Sequence, residues 1–192
     1  MHISLRPSRL HRPVIGAESI REVVFGVEDG VVQNMTLIAG MVGAALSNSV
    51  ILLAGTINAI AGVLSMSMGT YLSSKAERDV KFIPGNGVPR SSSDEDFGSP
   101  KRDALVMAGA YAAGAAVPLV PFFLGAVSTG VALAIAVMLT AATLFGLGAA
   151  KAVVSHQSRI RSGLEMLILA SVAGLAGYAL GALARAVFGL DV

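Results

Sequence analysis

The residues best placed to do chemistry lie in two short stretches, FGVEDGVVQNMT and AGVLSMSMGTYLSS, each embedded in a long apolar run. In the first, Glu28 and Asp29 stand about one turn inside a hydrophobic segment. A charged side chain at the centre of a bilayer costs at least about 2.5–3.5 kcal/mol, so such acids face a cavity or a partner. At helical spacing Glu22, Gly26, Asp29, Gln33, Thr36 and Gly40 share one face that is polar or small throughout. Neighbouring residues differ by about 100° around a helix, so Asp29 fits this stripe and Glu28 points away from it. Interfacial placement or helix capping are the plainer alternatives for both acids.

The second stretch has a matching face made of Gly55, Asn58, Gly62, Ser65, Met66, Gly69 and Ser73. Met66 and Met68 lie about 200° apart, and Met66 is the one that shares this face. Methionine usually fills gaps in apolar packing. Here, carboxylate and amide oxygens beside a thioether make a mixed donor set suited to a borderline divalent cation. The candidate metal ligands are Asp29, Met66, Glu28 and Asn58, with Glu22, Gln33, Thr36 and Ser65 along a transport path.

Other chemistry finds no residues to carry it. The chain has no cysteine, which removes disulfides, thiolate metal sites and cysteine nucleophiles. His2, His11 and His156 are isolated and show no ligand spacing. No phosphate-binding loop, hydrolase elbow or zinc-protease motif is present, so neither an enzyme nor a resident cofactor is expected. The net charge is only +2 and the basic residues are scattered, which argues against nucleic acid as a partner. Asp94-Glu95-Asp96 reads as a solvated acidic run.

The elements that must position these side chains are membrane helices. Hydrophobic residues make up 54% of the chain and charged ones 14%, against roughly 25% charged in soluble domains. Apolar runs long enough to cross about 30 Å of hydrocarbon recur. Spans are predicted at about 23–46, 50–74, 103–124, 129–150 and 163–188. The fold class is therefore an all-α, polytopic bundle of about five transmembrane helices in contact with membrane lipid. Residues 1–21 form an N-terminal segment, and 22–192 a transmembrane domain interrupted by a flexible linker at 75–102, rich in Pro, Gly, Ser and charge. Ser47-Asn48-Ser49 is the expected turn of an antiparallel hairpin.

Arginine and lysine supply an independent test of topology. They cluster before the first span, between the second and third, and between the fourth and fifth, while the loops near Asn48 and Ser128 carry none. By the positive-inside rule the N-terminus and long linker are cytoplasmic and the C-terminus lies across the membrane. Without a contiguous apolar leader, the first span is expected to act as the insertion signal, as suits the cytoplasmic membrane of a prokaryote. Gly177 and Gly181 form a G-x-x-x-G pair, read as packing inside the bundle or, alternatively, at a subunit interface.

SIREVVFGVEDGVVQNMTLIAG, with its F-G-x-x-D-G core, resembles the first helix of the vacuolar iron transporter family. AGVLSMSMGTYLSSKAERDV is similar to that family's A-G-x-x-S-M-x-x-G-E-Y-x-S segment, and AAVPLVPFFLG to its P-L-x-P element. LGAAKAVVSHQSRIRSGLEMLILASVAGLAGYALG resembles its last helices. The resemblance implies a five-helix homodimer that moves Fe²⁺, and often Mn²⁺, out of the cytosol in exchange for protons. It also implies that Asp29 and Met66 lie on the ion path. Two departures stand out: Thr70 occupies the position of the family's G-E-Y glutamate, and the glutamate-rich cytosolic helical domain of many members is replaced by a short linker. A non-transporting membrane anchor and a carrier of another solute are the alternative readings. Reporter fusions test the topology: a fusion at the N-terminus should report the cytoplasm, and one after Val192 the opposite side.

Overall fold

The computed structural model describes residues 17–81, 99–125, 127–154 and 157–189. The segment 1–16, the linker residues 82–98 with Asp94-Glu95-Asp96, and the three histidines lie outside these ranges. Among the described residues, six α-helices follow in order: α1 (Ala17–Gly43), α2 (Asn48–Lys81), α3 (Pro100–Ala116), α4 (Val120–Phe123), α5 (Thr129–Val154) and α6 (Arg159–Phe188). A 3₁₀ turn, Val117–Leu119, joins α3 to α4, so that the three run on as one traverse. Among the described residues, Asn48–Val80, Pro100–Phe123, Thr129–Val153 and Arg159–Phe188 are long and apolar enough to cross a membrane.

α1 is the fifth traverse, and it differs from the others in composition. At 27 residues it reaches about 40 Å, but Glu22, Glu28, Asp29, Gln33 and Asn34 lower its hydropathy. It can carry them because it is the hub of the bundle, packed against α3, α6, α5 and α2. Val31, Asn34 and Ile38 are fully buried. The lipid-facing surface belongs to the outer helices, through residues such as Leu53, Ile57 and Ile60 on α2 and Leu169, Val172 and Leu180 on α6.

Small residues let α1 approach its neighbours. Along its first half, Gly26 lies against Ala110, Gly30 against the Tyr111 and Ala115 backbone, and Gly114 of α3 against the Val27 carbonyl. Along its second half, Gly177 faces Thr36 and Gly181 faces Gly40. The G-x-x-x-G pair therefore packs inside the bundle. Apolar side chains gain little by leaving lipid, so close backbone contact is what drives such seams. These contacts advance in step along both chains, so α1, α3 and α6 run in the same direction. α2 and α5 return in the other: Gly62 lies on Tyr111 and Gly55 on Leu119, while Gly148 meets Ser162. All five traverses thus bring their basic ends to one side of the bundle.

The boundaries shift for identifiable reasons. α1 stops at Gly43 because Ala45 adopts a left-handed conformation (φ 59°), with Leu46 N–H donating to Met41 O and Ala45 N–H to Val42 O. This is a Schellman closure, one turn earlier than the expected span end. The expected Ser47-Asn48-Ser49 turn is thus displaced: Asn48 already opens α2, and its Nδ2 donates to Val127 O at 3.1 Å. α2 continues past residue 74 to Lys81, because SSKAERDV contains good helix formers even though it is too polar for hydrocarbon. At α3, Pro118 and Pro121 lack the N–H needed to continue the ladder, so the helix tightens into its 3₁₀ turn and Val117 N–H bonds Gly114 O.

Two outcomes follow for purified protein in detergent. Ala45→Gly should raise stability by about 1 kcal/mol, because it relieves a left-handed Cβ. Gly30→Val and Gly177→Val should each lower it by about 1–3 kcal/mol through overpacking. Gly109→Val, which meets open space, is the control in the same thermal-melt assay.

Candidate functional site

Three helices build a polar region on one side of the bundle. At the basic end, a cleft of about 590 Å³ opens between α1 and α2, with α3 as its floor. Arg21, Glu22 and Phe25 line it from α1, and Ser65, Met66, Gly69, Thr70, Ser73 and Ser74 from α2, while Met107 contributes from α3. Glu22 is almost completely buried, at 2% exposure, and Arg21 Nη2 lies 3.0 Å from its Oε1. Ser65, Gly69 and Ser73 are exposed and face the open side.

Deeper along α1 the polar column continues. Asp29 is half-buried, one turn below Gly26 and one turn before Gln33. Gln33 Oε1 accepts a short hydrogen bond from the Tyr111 hydroxyl of α3. Tyr111 reaches it by laying its ring over Gly62 of α2, where any side chain would collide with the phenol. One step further, Asn34 is fully buried; its Nδ2 donates to Ala115 O at 2.7 Å and its Oδ1 accepts from Asn58 Nδ2 at 3.1 Å. From Glu22 to Gln33 the column climbs eleven residue steps, or about 17 Å of helix.

The structure separates the residues that the sequence put on one list. Glu22, Ser65 and Met66 meet in the cleft, and Asp29 and Gln33 continue on the same side of α1. Asn58 is placed farther along, where its amide ties α2 to Asn34. Thr36 turns toward α6: its hydroxyl donates to Val32 O at 2.7 Å, and its backbone meets Gly177. Glu28 belongs by helical spacing to the face carrying Val31, Val32 and Met35. Val31 and Val32 cluster with Leu144 and Met166, and Met35 with Ala132 and Ala136, so that face looks toward α5 and α6.

Sequence reasoning passed over Arg21, Asn34, Met107 and Tyr111 as site residues. Tyr111 did leave a signal, as the one aromatic side chain in the run MAGAYAAGAA. Met107 left none, since nothing local marks one methionine of eight as facing a cleft. Among the described residues, no three His, Asp or Glu side chains converge. The acids are instead spaced singly along the column. Such an arrangement offers one carboxylate at a time, supplemented by hydroxyl, amide and thioether groups.

An all-helical, multi-pass membrane bundle with a polar column opening at its basic end defines a class of integral membrane protein. Residues 20–82 and 86–182 match the model of the VIT family, and the chain belongs to that family. It is 42% identical over 62 residues to vacuolar iron transporter 1 of Arabidopsis thaliana, covering 32% of this chain and 25% of that protein. Vacuolar iron transporter homolog 1 of Oryza sativa subsp. japonica is 29% identical over 163 residues, covering 81% and 69% of the two chains. Homolog 2 of the same organism is 27% identical over 179 residues, covering 90% and 94%. The matched part is thus about a quarter of the Arabidopsis protein's length but nearly all of rice homolog 2.

The absence of native cysteine makes the cleft directly testable. Single cysteines at Ser65 and Ser73 should react with a membrane-impermeant maleimide applied from the basic side. Thr36→Cys, held against α6, should stay unlabelled until the protein is denatured. Equal labelling at all three positions would contradict this placement.

Proposed function

We propose that the chain carries a divalent metal ion, Fe²⁺ or Mn²⁺, across the membrane along the α1–α3 polar column, in exchange for protons. The observation that carries this reading is the cleft itself, which sets a buried carboxylate and a thioether together at the basic, cytoplasmic end. Glu22 and Met66 receive the ion, Asp29 holds it deeper in the bundle, and Ser65 and Gln33 border its route. Glu28 and Asn58 fit less directly: the former lies on the α5–α6 side, and the latter acts as a structural tie to Asn34. Membership of the VIT family and the names of the iron-transporter relatives support the same substrate class.

A carrier must release what it binds, and singly spaced acids favour that over a closed ligand cage. Each carboxylate offers the same oxygens to metal and to protons, so protonation from the far side displaces the metal and links the two fluxes. Direction follows from the positive-inside orientation: the cleft takes metal from the cytosol, whether the membrane is that of the cell or of a vacuole. The carrier works as a homodimer. Gln33, Ser65 and Ser73 are exposed on the single chain, and hydrocarbon cannot satisfy them. A second copy closing over this side turns an open groove into a wet path.

Proteoliposomes test the reading. An imposed pH gradient should drive uptake of Fe²⁺ or Mn²⁺ with opposing proton movement. Asp29→Ala should abolish it and Met66→Ala should lower it several-fold. Thr70→Glu, which adds a carboxylate to the cleft wall facing Glu22, should lower KM for the metal. Absence of metal flux from well-folded wild-type protein under any gradient would sink the proposal.

A further inference from the structure

Glu22 is only half satisfied. Its side chain is 3% exposed, yet both donors of the neighbouring Arg21, Nη2 at 3.0 Å and Nε at 3.3 Å, fall on the same oxygen, Oε1. Oε2 is buried and makes no hydrogen bond. A forked arginine–carboxylate pair normally spends one donor on each oxygen. Here the geometry leaves one oxygen of a buried acid unmet at the wall of a cleft that also holds Met66, Ser65 and Thr70. Arg21 itself is loosely held, with 76% of its side chain exposed.

We propose that Arg21 is a tethered counter-ion that occupies Glu22 in the resting protein and must be displaced by the arriving divalent ion, which sets the threshold of metal affinity at the cleft. This inference rests on the transport reading for its biological role, but it concerns metal binding alone. A buried carboxylate without a cation is costly, and the guanidinium removes that cost while the cleft is empty. A divalent ion binding at Oε2 brings a second positive centre within a few ångströms of the guanidinium. Repulsion then favours release of Arg21 into water, a short swing for a side chain already mostly solvated. A monovalent ion gains less from the same carboxylate and displaces the arginine poorly. The pair therefore favours divalent over monovalent ions before any ion reaches Asp29.

The same electrostatics account for the asymmetry of the pair. Arg21 is exposed enough to leave, while Glu22 is too deeply held to follow it. Arg21 is thus a specificity-setting residue rather than a ligand. A purely structural salt bridge would instead lock both partners, and its removal would weaken metal binding by disordering the acid.

The test is Mn²⁺ binding to the full chain in nanodiscs, followed by electron paramagnetic resonance of the free ion. Arg21→Gln should lower the Mn²⁺ Kd about fivefold, the range expected when a partly exposed ion pair no longer competes. Arg21→Lys, which keeps the charge, should stay near wild type. Glu22→Gln should weaken binding, and the gain from Arg21→Gln should vanish in the Glu22→Gln background. Added K⁺ should compete with Mn²⁺ more strongly in Arg21→Gln than in wild type. Unchanged or weaker binding in Arg21→Gln would overturn the inference, as would a gain that persists without Glu22 or no Mn²⁺ binding by either protein. Metal flux measured on the same preparations separates the two ideas: binding as described without flux defeats the transport reading alone.

Discussion

Asn34 is the fastening on which the rest of the bundle depends. Its amide donates to Ala115 O, a carbonyl where proline ends the regular α3 ladder, and its oxygen accepts from Asn58 of α2. One fully buried side chain thereby joins three helices at a point where neither Asn34 nor the Ala115 carbonyl can turn to water. In a low-dielectric interior an unmet polar group costs about 1–3 kcal/mol. Pairing these groups therefore fixes the rotation of α1 about its own axis, and that rotation decides which α1 residues face the cleft and which face the other helices.

The small-residue seams complete that placement. α1 is gripped along its first half by α3 and along its second half by α6, each time through glycines that bring backbones close. A helix held this way does not need an apolar surface, because its neighbours supply the contact with lipid. This is why the most polar traverse of the bundle is also the most central. It is also why a test of hydropathy alone finds four membrane helices among the described residues and passes over the one that carries the polar column.

The proposed function draws on the combination of burial and dispersion. Glu22, Asp29 and Gln33 recur on one side of α1 at intervals of seven and four residues, so polar groups succeed one another without gathering into a cage. α2 adds hydroxyls and the Met66 thioether at the open end, and α3 adds Tyr111, whose ring passes over Gly62 to reach Gln33. On the proposed transport reading an ion meets several weak sites in series there, which suits passage better than retention. Arg21 pairs with Glu22 at the open end of this surface.

Much of this was legible in the amino-acid sequence, because local chemistry dictates it. Long apolar runs require membrane helices, the alternation of basic loops orders them, and helical periodicity groups Glu22, Asp29 and Gln33 on one face. The same periodicity set Glu28 apart from Asp29. The early stop of α1 was not legible, since it depends on Ala45 adopting a left-handed conformation that its side chain does not favour. Nor was the fate of Thr36 and Asn58, which share stripes with Asp29 and Met66 respectively. A stripe is a property of one straight helix, whereas the neighbour it meets changes along its length: α3 beside Gly26 and Gly30, α6 beside Thr36 and Gly40. The sequence by itself determined which residues sit on a common face. Only tertiary packing decided where that face opens to a cleft and where it closes on another backbone, because crossing helices touch over limited stretches.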